Sequence, residues 1–356
     1  MHVAAERLEE LCREICRRGG SDENEVALVG RHLVEANLSG HDSHGVGVLP
    51  TYIGSLVEGS LRPNLHVTVA ADLGAILRLD GNGGYGQVIG TEAMELGIGR
   101  ARELGVAVVA LRRSHHLGRI GAWGEQCAAA GLVSIHYVNA TGYRPLVAPF
   151  GARCARYTTN PYCTAIPATG ANPAIILDMA TSTVAFGKIR VAYNRGELAP
   201  EDALIDATGR ETRDPGVMFA DPRGALQPFG RHKGYGLGLV CELLAGALTN
   251  GGGMLPEHHE GTVISNNMLT IILDPAEIAD AAWFRNEVDA ITAHMKGSPT
   301  AEGVDAVMVP GDPERKARAE RGANGVPLDE ETWRQIVEAA AKLGLGAGEI
   351  DRIIGA

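Results

Sequence analysis

Histidines offer the most recognisable chemistry in this sequence. The chain holds 12 of them, and two short clusters place histidine beside glycine, His41-Asp42-Ser43-His44-Gly45 and Ser114-His115-His116-Leu117-Gly118. An imidazole titrates near neutral pH, so it is the side chain best suited to move a proton in catalysis. Glycine lets a ligand approach the backbone closely. Both clusters are therefore candidate acid–base sites, and surface or helix-capping histidines are the alternative interpretation.

A glycine-rich segment offers a second candidate. Residues 81–86 read Gly-Asn-Gly-Gly-Tyr-Gly, which fits the GxGxxG spacing of a dinucleotide-binding turn between a strand and a helix. The next predicted strand, however, ends in Arg112 and Arg113, and no acidic residue stands there to hold a ribose hydroxyl. With 47 glycines in the chain, a chance match is not rare. We favour a tight turn and keep a Rossmann-type reductase as the alternative.

Helices and strands alternate in the middle of the chain. Helical periodicity is clear after Ser21 and Asp22, which are typical of a helix N-cap. Helices are predicted over 4–17, 22–38, 50–58, 87–104, 118–130, 232–248, 283–296, 312–321 and 330–343. Short apolar runs predict strands at 66–69, 75–79, 106–111, 132–138, 164–167, 175–177 and 270–273.

This order predicts three parts. Residues 1–70 form a helical part, 71–280 an α/β part with the binding sites, and 281–356 a second helical part that packs back on the first. The fold class is α/β of the α+β type.

Composition limits the range of functions. The 356 residues carry a net charge of −11 without a basic run, which argues against nucleic-acid or anionic-membrane partners. No apolar stretch reaches the length of a membrane span, and the N-terminus lacks a secretory signal, so we expect a cytoplasmic protein. The six cysteines form no CxxC pair. No metal is expected: His41 and His44, like His258-His259-Glu260, lack a complete ligand set.

Longer segments carry a family resemblance. In chain order they read HDSHGVGVLPTY at 41–52, SHHLGRIGAW at 114–123, TTNPYCTAIP at 158–167, LDMATSTVAFGKIRVA at 177–192, HKGYGLGLVCELLAGAL at 232–248, VPGDPE at 309–314 and NGVPLDEETW at 324–333. They resemble the malate/L-lactate dehydrogenase-2 family over nearly the whole chain.

The resemblance implies a fold and an activity. The fold would be non-Rossmann: a mainly antiparallel sheet with helices, plus a helical domain built from both chain ends. The activity would be that of an NAD(P)-dependent 2-hydroxyacid dehydrogenase (2-oxoacid reductase), with NAD as the preferred cofactor and NADP as the alternative. The expected partners are a small 2-oxoacid or 2-hydroxyacid substrate and a second copy of the chain in a homodimer.

The resemblance also implies residue roles. His44 and His116 would transfer the proton and polarise the carbonyl, with the assignment between them left open, and Ser43 would orient an imidazole or a substrate oxygen, or cap a helix. The expected cofactor contacts are Gly118, Arg119, Ile120, Asp178, Met179, Ala180, Thr181, Ser182, His232, Lys233, Asn266, Gly311, Asp312, Pro313 and Glu314. Lys188 is a weaker candidate.

Two departures from the family pattern concern the substrate. Many members have an arginine four residues after the SHG histidine to clamp the substrate carboxylate, and here that position is Val48. Val48 predicts a bulkier, less polar substrate such as hydroxyphenylpyruvate. Arg119 stands where a small or apolar residue is more usual, and we expect it to meet the substrate carboxylate or the cofactor phosphates. The alternatives are a malate, lactate or ureidoglycolate dehydrogenase, a reductase of cyclic imines such as piperideine-2-carboxylate, and a non-catalytic ligand-binding scaffold.

Overall fold

The two chain ends build one helical unit. The computed structural model describes residues 1–258 and 264–355, without the side chain of Asn194. Helix α1 spans Ala5–Arg18, α2 Glu23–Leu38 and α3 Leu49–Val57, and α11 (Glu330–Ala341) and α12 (Ala347–Ile354) return from the C-terminal end. Leu8, Leu33 and Ile336 are fully buried in their shared core. The predicted helical domain made from both ends is therefore confirmed.

Local capping explains where these helices begin. The Asp22 carboxylate accepts hydrogen bonds from the backbone N–H groups of Asn24 and Glu25 at 3.0 and 2.9 Å, as its place before α2 predicted. Asp329 caps α11 in the same way, through the N–H of Thr332 at 2.8 Å. Acidic residues follow both caps in the first helical turn, where they complement the helix dipole.

A mixed sheet forms the centre. Its strands are β2 (Thr68–Leu73), β3 (Ile76–Asp80), β4 (Val106–Ser114), β5 (Val133–Thr141), β6 (Tyr162–Ile166), β7 (Ile175–Met179) and β11 (Ser265–Leu273). Within the described residues the seven strands lie in the order β2-β3-β4-β11-β5-β6-β7, and only the β3–β4 pair is parallel. The mainly antiparallel, non-Rossmann sheet that the resemblance implied is confirmed.

The remaining elements are shorter or peripheral. Strands β1 (His2–Val3), β8 (Leu204–Ile205), β9 (Glu211–Thr212), β10 (Ala225–Leu226) and β12 (Val326–Pro327) complete two small sheets. The other helices are α4 (Gly86–Leu104), α5 (Gly121–Ala129), α6 (Phe186–Arg195), α7 (His232–Cys241), α8 (Pro275–Ile278), α9 (Ala281–Lys296) and α10 (Asp312–Asn324). The first predicted strand, 66–69, is displaced to Thr68–Leu73, and the domain boundaries near 70 and 280 stay a prediction.

The glycine-rich turn at residues 81–86 is closed. The backbone N–H of Gly81 donates to Arg112 O at 2.8 Å, and that of Gly83 donates to Arg113 O at 2.8 Å. A Cβ on Gly86 would collide with the backbone of His116. The N–H groups of Gly81 and Gly83, which a Rossmann turn would offer to a pyrophosphate, are thus already hydrogen-bonded to β4, and the backbone of His116 packs against Gly86. This sheet and this turn exclude the Rossmann alternative.

Two absences hold for the residues just described. Within residues 1–258 and 264–355, no helix is long and apolar enough to cross a membrane. Over the same ranges no three His, Cys, Asp or Glu side chains are grouped as metal ligands. His259 and Glu260, which the sequence placed beside a glycine loop, lie outside these ranges.

Candidate active site

One cavity of about 580 Å³ collects most of the predicted site residues. The turn Asp42–His44 after α2 forms one wall, and the segment from Asp178 to Ala185 after β7 forms another. Arg119 and Ile120, in the loop between β4 and α5, close the base, and Pro313 and Glu314 enter from the start of α10. We call this space the main cavity.

The two candidate catalytic histidines lie side by side. The rings of His44 and His116 stack with centroids 5.5 Å apart and planes 13° from parallel. The Nδ1 atom of His44 is 3.0 Å from the Ser43 hydroxyl, and the Nδ1 atom of His116 is 2.9 Å from the Tyr52 hydroxyl. His44 and His116 are 72 residues apart in the sequence, and the fold brings their rings together.

Both imidazoles are neutral at neutral pH because their pKa values are lowered. Burial lowers the pKa of His44 to about 4, and electrostatic interaction with His41 and Arg119 lowers it further. Burial also lowers the pKa of His116 well below its usual value, helped by His44 and His115. A neutral imidazole has one N–H donor and one acceptor nitrogen, so each ring is able to donate one hydrogen bond and to accept another hydrogen bond or a proton.

Tyr52 contacts the Nδ1 side of His116, and Gln87 in turn contacts Tyr52. Both side chains are 1% exposed, and the Gln87 amide nitrogen donates to the Tyr52 hydroxyl at 2.8 Å. Burial raises the pKa of Tyr52, which stays a neutral phenol. Sequence reasoning missed both residues. Gly118, at φ +69°, lies against the Gln87 side chain, where an added Cβ would be 3.3 Å from the amide nitrogen.

Asp178 and Arg119 meet at the N-terminus of α5. The Asp178 carboxylate accepts the backbone N–H of Gly121 at 2.7 Å. Burial raises the pKa of Asp178, against the lowering effect of His41 and Arg119. A Cβ on Gly121 would collide with both the Arg119 guanidinium and the Asp178 carboxylate, so glycine is what lets the two side chains converge.

Arg119 is a buried arginine, and one of its terminal nitrogens has no partner among the described residues. Its side chain is 3% exposed, and Nη2 pairs with Glu125, which also binds Arg318 at 2.8 Å. The other terminal nitrogen, Nη1, is buried and has no hydrogen-bond partner among the described residues. An unpaired buried N–H of a charged group is costly, so this atom calls for an anionic or carbonyl partner.

Other predicted cofactor residues divide into two groups. Met179, Ala180 and Ser182 line the main cavity, as do Pro313 and Glu314. Glu314 binds the Nε2 atom of His41 at 3.2 Å, which links the α10 end to the histidine turn. Thr181 is fully buried beneath the loop, with its hydroxyl donating to Thr159 O at 3.0 Å.

Several predicted residues lie elsewhere. Asn266, which was expected to close over a dinucleotide, is buried in β11, where its amide accepts the N–H of Leu117 at 2.8 Å and donates to Asn139 O at 3.1 Å. His232 and Lys233 are exposed at the start of α7 and do not line the main cavity.

The remaining two sit at the entry to α10. The Asp312 carboxylate forms salt bridges with Lys296 at 3.0 Å and with Arg315 at 2.6 Å. Gly311, at φ +96°, turns the chain into the helix, so its role is conformational. Neither residue lines the main cavity.

A second cavity of about 540 Å³ adjoins the first. Ser43 and Lys188 line both spaces. Arg190 also lines the second cavity, where it makes no hydrogen bond with any described residue and its Nη2 atom would be 4.0 Å from a Cβ on Gly47. Val48 itself packs against the core of the terminal helices and lines neither cavity.

Comparison with known proteins identifies the class. The family model for malate/L-lactate dehydrogenase matches residues 3–337. Hydroxycarboxylate dehydrogenase B of Escherichia coli K12 is 43% identical over 347 residues, which cover 96% of this chain and 94% of that protein. The chain therefore belongs to the malate/L-lactate dehydrogenase family and is an oxidoreductase.

Other relatives differ in substrate. An L-lactate dehydrogenase of Cupriavidus necator is 42% identical over 89% of this chain and 90% of its own. A delta(1)-pyrroline-2-carboxylate/delta(1)-piperideine-2-carboxylate reductase of Pseudomonas putida is 32% identical over 95% of this chain and 96% of its own. The solved sulfolactate dehydrogenase from Methanocaldococcus jannaschii superposes with a TM-score of 0.84 at 31% identity, covering 99% of both chains. Family membership thus identifies the chain as an oxidoreductase, but it does not identify the substrate, which has to be inferred from the site.

Proposed function

We propose that the chain is an NAD(P)-dependent 2-hydroxyacid dehydrogenase that also reduces 2-oxoacids, with the reaction in the main cavity. The observation that carries this proposal is the pair of half-buried imidazoles, His44 and His116, whose rings stack 5.5 Å apart, with His44 on the wall of that cavity. Oxidation of a secondary alcohol requires a proton acceptor next to the carbon that loses hydride. Reduction requires the same group as a donor.

The main cavity suits an anionic nucleotide cofactor. The unpartnered Nη1 atom of Arg119 and the exposed Lys188 ammonium offer positive charge on its walls. Ala180 and Ser182 have short side chains, which let phosphate or ribose oxygens approach the loop backbone. The nicotinamide would supply or accept the hydride. NAD is the proposed cofactor and NADP the alternative, because no described side chain of the cavity selects between them.

The chain's own residues would manage the proton and the charge. One histidine takes the hydroxyl proton in oxidation and returns it in reduction, while the other donates a hydrogen bond to the carbonyl oxygen. Arg119 pairs with the substrate carboxylate or with a cofactor phosphate. Its partner Glu125, which also pairs with Arg318, keeps the guanidinium in place, so little order has to be gained on binding.

The substrate is proposed as a 2-oxoacid such as hydroxyphenylpyruvate. This choice rests on the resemblance: many family members have a carboxylate-clamping arginine at the position of Val48, which here packs against the terminal helices and lines neither cavity. A small dicarboxylate such as malate is the second candidate, because Lys188 and Arg190 bring cations to the second cavity beside Ser43. A cyclic imine is the third candidate, given the imine reductase among the relatives.

A homodimer and a cytoplasmic location complete the proposal. On α7 and the π-helical turn that continues it, Leu239, Val240, Leu243 and Leu248 are 41–63% exposed, an apolar strip that a second copy would cover. All six cysteines are free, as expected in a reducing compartment. Size-exclusion chromatography with light scattering tests the dimer.

Absorbance at 340 nm tests the activity. Purified chain is mixed with NADH, then NADPH, and with hydroxyphenylpyruvate, phenylpyruvate, oxaloacetate, 2-oxoglutarate, pyruvate and piperideine-2-carboxylate. Cofactor oxidation with a 2-oxoacid, lost in His44→Gln and retained in His232→Gln, is the expected result. His232 is the matched control because it lies outside the main cavity. Turnover of the imine alone would move the chain to the reductase class, and no turnover and no cofactor binding would overturn the proposal.

A further inference from the structure

His44 and His116 differ in the hydroxyl group that faces their Nδ1 atoms. Ser43 faces the Nδ1 atom of His44, and a serine hydroxyl donates or accepts a hydrogen bond by rotating. His44 is therefore free to carry its proton on either nitrogen. Tyr52 faces the Nδ1 atom of His116, and its hydroxyl is restricted because Gln87 lies behind it.

The orientation of the Gln87 amide decides which way the Tyr52 hydroxyl points. As placed, Gln87 Nε2 donates to the Tyr52 oxygen at 2.8 Å and leaves Oε1 buried without a partner. The reversed amide would instead bury an NH₂ group with no acceptor, and buried unpaired donors are rarer in proteins than under-used carbonyl oxygens. The orientation in which Gln87 donates is therefore favoured.

The proton of Tyr52 then has one good acceptor. His116 Nδ1 lies 2.9 Å from the hydroxyl, whereas the carbonyl oxygen of His116 is at 3.4 Å and offers a weaker bond. A Tyr52 O–H that donates to Nδ1 requires an unprotonated Nδ1. Because His116 is neutral, its single proton must be on Nε2.

His115 has no such support, although it is the neighbour of His116. It is 1% exposed, and both of its ring nitrogens are buried without a partner. Its ring meets Tyr52 only edge-on, with centroids 5.3 Å apart. The Tyr52 hydroxyl thus hydrogen-bonds His116, whereas His115 only packs in the interior.

We propose that Tyr52 and Gln87 are positioning residues that hold His116 as the Nε2–H tautomer, so that His116 hydrogen-bonds the substrate oxygen and His44 exchanges the proton. This inference rests on the proposed function. In oxidation the substrate O–H bond breaks and its proton moves to His44 Nε2, the C–H bond breaks with its electron pair leaving as hydride to the nicotinamide, and C=O forms. The Nε2–H of His116 stays in place and stabilises the oxygen throughout.

The tautomer is measured without substrate or cofactor. Chain labelled with ¹⁵N-histidine is examined by NMR, and His116→Gln assigns the signals. We expect the His116 Nδ1 signal of an unprotonated nitrogen and the Nε2 signal of a protonated one. Tyr52→Phe should give a mixture of tautomers. Gln87→Glu, whose carboxylate only accepts, should turn the Tyr52 proton away and favour Nδ1–H. Tyr85→Phe, a buried hydroxyl whose ring is 5.8 Å from that of Tyr52, should change nothing.

Kinetics separate positioning from a structural role. Tyr52→Phe should lower kcat about tenfold or more while the KM for NADH stays close to the wild-type value. A wild-type His116 protonated on Nδ1 would overturn the inference even if neither variant folds. An unchanged tautomer and kcat in Tyr52→Phe would overturn it as well. If the chain turned over no 2-oxoacid but the tautomers behaved as expected, the proposed function alone would fail.

Discussion

Replacing Asn266 by alanine separates a structural role from a cofactor contact. The side chain bonds two buried backbone groups, the N–H of Leu117 at 2.8 Å and the carbonyl of Asn139 at 3.1 Å. Alanine leaves both unpaired, and each unpaired buried group costs about 1–3 kcal/mol. We expect a loss of about 2–6 kcal/mol in the free energy of unfolding, which for a chain of this length lowers Tm by roughly 3–8 °C.

Differential scanning calorimetry measures the loss, with Asn24→Ala as control. Asn24 is exposed on α2, and its side chain makes no hydrogen bond with a described residue, so this control should change stability by less than about 0.5 kcal/mol. The dissociation constant for NADH should be nearly unchanged in Asn266→Ala, whereas kcat should fall because Leu117 adjoins His116. A normal Tm combined with much weaker NADH binding would refute this reasoning and restore Asn266 as a cofactor residue.

Three further predictions concern the main cavity, the ion pairs at the end of β3 and the two histidines. Gly121→Ala should abolish turnover with little change in Tm, since its Cβ displaces Asp178 and Arg119, while Gly99→Ala in α4, with open space around it, should keep full activity; equal kinetics in the two variants would be inconsistent with the site. At Asp80, burial raises the pKa but Arg113 and Arg112 outweigh it, so the folded pKa is below the usual value. The ion pairs should therefore stabilise the chain above about pH 4 and lose that effect as pH falls through the lower folded value. Asp80→Asn should cost about 1–3 kcal/mol at pH 7 in urea unfolding, and this cost should shrink steadily as the pH is lowered below about 4; a cost independent of pH would argue against the ion pairs. Because the pKa of His44 is about 4 and that of His116 is well below its usual value, kcat/KM for oxidation should show no histidine inflection between about pH 6 and 8, and an inflection near 6.5 that disappears in His44→Gln would contradict the neutral pair.

Much of the fold was predictable because its signals are local. Asp22 caps α2 as expected, and apolar runs locate β4, β5 and β11 to within a few residues. Helix α6 was missed, since Phe186–Arg195 places few apolar residues on one face and none of its described residues except Ile189 and Ala192 is buried. The two-residue strands β8, β9 and β10 are too short to leave a pattern and form only through tertiary contacts.

The site was predicted where short motifs carry it. His44 and His116 stand out because histidine beside glycine is chemically distinctive, and Asp178 through the motif around it. Gln87 left no such signal, and Tyr52, although it ends the motif at 41–52, was given no role, since the two lie 29 and 64 residues from His116 and look like ordinary helix residues. Asn266 was predicted as a cofactor contact from the resemblance, and no local sequence signal shows that its side chain bonds backbone groups of neighbouring segments.

The structure of the chain with NADH and an unreactive 2-oxoacid analogue, oxamate, tests the central claim most directly. The account predicts the nicotinamide in the main cavity between His44 and the Asp178–Ser182 loop, with the oxamate oxygen within hydrogen-bond distance of His116 Nε2. A dinucleotide bound at Gly81–Gly86, or oxamate bound out of reach of both His44 and His116, would contradict it.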